Sequence, residues 1–93
     1  MNEALPGRVV ISRAGHDKGK PFLVLACGED GVLLLADGKT RTVDHPKRKK
    51  RMHVFVTPDF LNACREKLNA GNVLQDHEIR KALLDWTDQG KQD

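Results

Sequence analysis

Tyrosine is absent from this 93-residue chain, and three phenylalanines and one tryptophan are its only large rings. Phe22 and Phe55 sit in apolar runs, while Phe60 and Trp86 sit on amphipathic stretches, so core packing accounts for all four. A row of exposed rings, the platform on which single-stranded nucleic acids stack, is therefore not expected. Cysteine is equally scarce. Cys27 and Cys64 are too few for a disulfide framework, and with four scattered histidines they form no metal-ligand spacing. Both are expected to be buried as small apolar residues. The longest apolar stretch, Phe22 to Cys27, is far below the roughly 20 residues that span a bilayer, and Met1 opens no signal-peptide pattern. These absences predict a cytoplasmic protein without membrane contact. The sequence around Gly19 is no phosphate-cradling NTPase loop, because no Gly-Lys-Ser/Thr element opens a helix there. No nucleophile, base and orienting group fall into a recognisable set, so neither enzymatic activity nor a cofactor is expected.

Against this sparse background one segment stands out. Lys47-Arg48-Lys49-Lys50-Arg51 is a run of five cations in a chain whose formal charge is only +3. The stretch from Lys39 to His53 carries seven Lys or Arg against one acid, Asp44, which leaves a charge of −3 for everything else. Charge serving solubility would be spread over the surface, whereas a block points to a polyanionic partner.

The remaining pattern gives the architecture. Arg8 to Ser12 is β-branched and compact, and a Gly- and Lys-bearing loop, Ala14 to Pro21, follows it. Phe22 to Cys27 and Val32 to Ala36 read as strands joined by Gly28-Glu29-Asp30-Gly31, in which Asp-Gly favours a tight turn. Asp37-Gly38 repeats that signal, Thr40 to Val43 alternates as a fourth strand, and Met52 to Val56 reads as a fifth. The basic run then becomes an inter-strand loop, Asp44 to Arg51, with Pro46 opposing a central strand. Connections this short force antiparallel pairing. A small curled barrel hides the edges most economically, and an open sheet covered by helices is the alternative. Thr57-Pro58-Asp59 reads as a helix start, with Thr57 as cap and Pro58 at the first position. Phe60, Leu61, Cys64 and Leu68 share one face of that helix, which Gly71 can end. Asn72 or Asp76 can cap a second helix bearing Ile79, Leu83 and Trp86. The expected organisation is thus α+β: a barrel over residues 1–56, a helical hairpin over 57–88 and a frayed tail at 89–93.

The segment Gly7-Arg8-Val9-Val10-Ile11-Ser12-Arg13-Ala14-Gly15-His16-Asp17-Lys18-Gly19-Lys20 resembles a KOW motif, a β-loop-β element of ribosomal proteins and NusG-type transcription factors, with Gly19 at the key glycine. Together with Val43 to His53, it makes residues 7–56 similar to a bacterial family of small KOW-domain RNA-binding proteins. That family is related to a large-subunit ribosomal protein family of archaea and eukaryotes. The resemblance implies an SH3-like barrel, binding to structured RNA, and association with the ribosome or ribosomal RNA.

The residue chemistry agrees in kind. Lys and Arg neutralise phosphates, and Arg adds planar, bidentate contacts. The expected RNA-binding set is Lys47, Arg48, Lys49, Lys50 and Arg51, extended by Arg13, His16, Lys18, Gly19, Lys20, Lys39 and Arg41, with His45 and His53 bracketing the run. The loops Gly15 to Lys20 and Asp44 to Arg51 both join strands and could share one rim. The expected protein is a noncatalytic, monomeric RNA-binding module. A protein-protein adaptor whose cations meet an acidic partner is the rival reading, and duplex DNA is a second possible polyanion.

Overall fold

The computed structural model describes residues 3–90 and is a small α+β domain. Its strands are β1 (Arg8–Ser12), β2 (Pro21–Cys27), β3 (Val32–Ala36), β4 (Lys47–Lys50) and β5 (Val54–Phe60), and its helices are α1 (Asn62–Asn69) and α2 (Asp76–Asp88). A short 3-10 turn, Arg51–His53, joins β4 to β5. The strands form one antiparallel sheet in the order β4-β3-β2-β1-β5, and no β4–β5 pairing closes it.

Strand alternation sends side chains to opposite faces, and each face carries a buried cluster. Val10, Phe22, Val24, Leu33, Leu35, Val54 and Val56 form an inner cluster to which Ala4 is added. No helix contributes to it, so the sheet must curl over its own inner face. Val9, Leu23 and Ala36 point outward and pack with Leu61, Cys64, Leu74, Ile79, Leu83 and Trp86, so the helices and the sheet share a second core. The Trp86 indole N–H donates to an Asp59 carboxylate oxygen at 2.8 Å, which ties α2 to β5. Lys67 Nζ lies 2.5 Å from a Glu78 carboxylate oxygen and ties α1 to α2.

Several sequence expectations are corrected. Thr40 to Val43 is not a strand. Asp37 Oδ1 accepts the N–H groups of Lys39 and Arg41, Asp76 Oδ1 accepts that of Val43, and these side chains take the donors a sheet ladder would need. The fourth strand is the basic run itself. Thr57-Pro58-Asp59 continues β5 and starts no helix. Three residues there face one on β1, a bulge on an edge strand where the missing Pro58 donor costs nothing. The Thr57 hydroxyl donates to the Val9 carbonyl and accepts the Asp59 N–H within the strand, so it caps no helix. Helix α1 starts after Leu61, leaving Phe60 on β5, and α2 starts after Gln75, whose N–H donates to Glu78 Oε1. Of the expected frayed tail, Gln89 and Gly90 still donate to the carbonyls of Asp85 and Thr87, and residues 91–93 lie outside the described part.

Candidate functional site

The basic run divides by strand period. In the β3–β4 register Lys49 lies across from Leu33 and Lys47 across from Leu35, both inner-core residues, while Arg48 faces Leu34 and Lys50 faces Val32. Lys47 and Lys49 therefore point to the inner side, and Arg48 and Lys50 point outward into solvent.

The two inward cations are structural. Lys49 is buried, and its ammonium donates to Ser12 Oγ at 2.5 Å and to the Ala14 carbonyl at 2.7 Å. Burial holds its pKa below the ordinary lysine value, and neighbouring Lys47 adds to the effect. Half-buried Lys47 reaches Asp17 at 2.5 Å. That hydrogen bond holds the Asp17 carboxyl below the usual carboxylate range against the pull of desolvation, with Lys47, Arg41 and Lys20 adding Coulombic attraction. The expectation that all five cations of the run face the partner is thus corrected for Lys49, which is spent inside the fold.

What these two lysines hold is the β1–β2 loop. Gly19 N–H donates to the Ser12 carbonyl at 2.8 Å and Ser12 N–H to the Lys20 carbonyl at 3.0 Å, closing the loop on itself. Gly19 has φ 87° and a Cβ there would meet nothing within 4 Å, so the backbone conformation, and not crowding, calls for glycine. His16, Lys18, Gly19 and Lys20 are exposed along it. The loop and the basic strand do share a rim, joined by side chains of Lys47 and Lys49.

The other expected residues fall around this centre. Arg13 is exposed, and its N–H donates to the His53 carbonyl at 2.9 Å, bringing the start of the loop to the β4–β5 corner. Half-buried Arg51 anchors that corner by donating its N–H to the Gly31 carbonyl. Arg41 is exposed, and its charge adds a small attraction on the Asp17 carboxylate. Exposed Lys39 lines, with Lys20, a groove of about 360 Å³ whose floor includes Leu83 and Leu84 of α2. Arg48 borders a separate shallow concavity beside Glu29 and Asp30. His45 is exposed, and its N–H donates to the Thr42 carbonyl and hydroxyl, which gives it a turn role of its own.

Two apolar expectations are overturned. Cys27 is exposed where β2 ends. Phe55 is 56% exposed, because its neighbours Val54 and Val56 take the inner face and leave it the outer one. Alternation along Val54-Phe55-Val56 was the signal, but it is visible only once a neighbouring strand shows which parity is inside. Cys64 is buried as expected, and burial pushes its thiol pKa up. Among the described residues no group of three His, Cys, Asp or Glu could hold a metal ion, and no helix is long and apolar enough to cross a membrane. No protein-family model matches the chain, and comparison with curated proteins gives no match.

Proposed function

We propose that the protein is a noncatalytic RNA-binding module, with structured RNA, ribosomal RNA first among candidates, lying across the β1–β2 loop and the outward side of β4. The observation that carries this reading is the division of labour in the basic strand. Lys47 and Lys49 lock the KOW-like loop beside β4, while Arg48 and Lys50 remain in solvent on the other face. Ordering cations next to one another costs electrostatic energy, and a polyanion offsets it. The proposal includes an SH3-like character for the sheet. Supporting that finer reading are the pairing of β1 with both β2 and β5, the short 3-10 turn linking the two outermost strands, and an inner core that the sheet buries by itself.

The test is salt-dependent binding to ribosomal RNA fragments. Replacing Arg48 and Lys50 by Ala removes cations that the fold does not use, and the slope of log affinity against log salt should flatten by about 0.7 to 0.9 per lost phosphate contact. Lys47 and Lys49 are left in place, because their loss would disturb the loop as well as the charge. An unchanged slope with intact folding would count against RNA contact at β4. The adaptor reading gains if a protein partner is captured equally well with and without nuclease.

A further inference from the structure

Phe55 is the one Phe or Trp side chain among the described residues that stands mostly in water. Its place is fixed by rigid strand geometry. Val54 and Val56 are 1% and 6% exposed on the inner side, so Phe55 is held outward, across from Ile11 of β1. A single exposed apolar side chain needs no explanation by itself, and its surroundings are what give this one meaning. Two residues along from the Ile11–Phe55 pair, the backbones of exposed Arg13 and His53 are joined by a hydrogen bond, and both side chains carry flat π-systems. Exposed Met52 adds apolar surface next to them. Arg48 and Lys50 leave the sheet on this same outer face. Lys50 is five residues from Phe55, which limits the distance between their Cα atoms to about 17 Å, and the tight 3-10 turn shortens it.

Cations that take phosphates and a fixed ring flanked by Arg and His are the two halves of a site for an unpaired nucleotide. We infer that Phe55 stacks on an unpaired base whose flanking phosphates lie toward Lys50 and Arg48. The RNA bound is then a helix interrupted by a bulge or loop, and not an uninterrupted duplex. This deepens the proposed RNA-binding function and rests on it. It also reverses the expectation that core packing uses every ring in the chain.

The experiment compares two RNA hairpins of equal length, one with a bulged 2-aminopurine and one with 2-aminopurine paired in the stem. Each is titrated with the full chain and with its Phe55→Leu, Phe55→Trp and Arg48→Ala/Lys50→Ala variants, after thermal melting shows that each variant is folded. The bulged hairpin should bind more tightly and its fluorescence should change on binding. Phe55→Leu should weaken that binding by about five- to 150-fold, the range that loss of one stacked base gives. It should leave the paired hairpin and the salt slope unaltered, and Phe55→Trp should retain the affinity. Wild-type affinity of Phe55→Leu for the bulged hairpin, or equal losses on both hairpins, would overturn the stacking site while leaving the phosphate contacts standing. If neither hairpin binds with a salt slope that depends on Arg48 and Lys50, the RNA reading falls, and the stacking site falls with it.

Discussion

The Lys49 ammonium sits against Ser12 Oγ and the Ala14 carbonyl, and its lowered pKa means that the folded environment disfavours the charged form relative to water. At neutral pH this charge is a cost, one that lessens as pH rises through the folded pKa toward the ordinary lysine value. The side chain contributes to the fold through its buried stem and its two hydrogen bonds. Lys49→Ala, which removes stem and bonds together, should cost about 2 kcal/mol in urea unfolding, in the range of large-to-small changes at buried sites. Lys49→Met keeps the stem and sheds the desolvated charge, so it should stay within about 1 kcal/mol of the parent. Amide exchange should nonetheless speed up at Gly19 and Lys20 in that variant, because the loop has lost its tether. Equal stability of Lys49→Ala and the parent would deny Lys49 a structural role. Phe60 shows a second kind of residue-scale accounting: the guanidinium carbons of Arg8 and Arg65 lie 4.1 and 4.4 Å from its ring centroid, so those two cations are engaged by the fold.

At the scale of elements, the strands with compact apolar signatures were legible. Arg8 to Ser12, Phe22 to Cys27 and Val32 to Ala36 recur in the structure, with Pro21 added to the second. Two kinds of information were hidden. Lys47 to Lys50 has little strand propensity, and it becomes a strand because β3 supplies a partner and the inner side supplies acceptors for its charges. Thr57-Pro58-Asp59 carries a helix-start signature that is overruled by pairing with β1 and by the bulge there. Composition marks the glycine-bearing loop and the cationic run, but which of those cations face solvent depends on register. A test of how β5 and the helices cooperate lies at Trp86, whose indole N–H meets Asp59. Trp86→Phe should lose about 1 to 2 kcal/mol, combining the hydrogen bond and some packing. In a double-mutant cycle with Asp59→Ala, the two losses should be less than additive. Full additivity would show that the contact does not link the strand to α2.

For the molecule as a whole, three carboxylates set the response to acid. Asp17 is lowered by its bond from Lys47, and Glu78 by its bond from Lys67. Burial would raise Asp37, but donors from Arg41, Lys39 and Thr40 outweigh it and lower it as well. A carboxylate whose folded pKa lies below its unfolded one stabilises the fold above the unfolded value, and that contribution is lost as pH falls through the folded value. The urea midpoint should therefore be nearly flat from about pH 6 to 8 and decline below about pH 4.5. Asp37→Asn should lower the plateau and make the acid decline shallower. A midpoint that rises on acidification would contradict the hydrogen-bond assignments.

The position of β4 at the end of the sheet order has a consequence for the behaviour of the protein in concentrated solution. An outermost strand offers unpaired backbone donors and acceptors to any extended chain that drifts alongside, and so seeds fibrils and precipitates. Here that strand keeps Arg48 and Lys50 in solvent, and a second molecule that laid its own β4 alongside would bring the same two cations against them. The two cations that the fold leaves in water disfavour β4-to-β4 pairing between copies of the same protein.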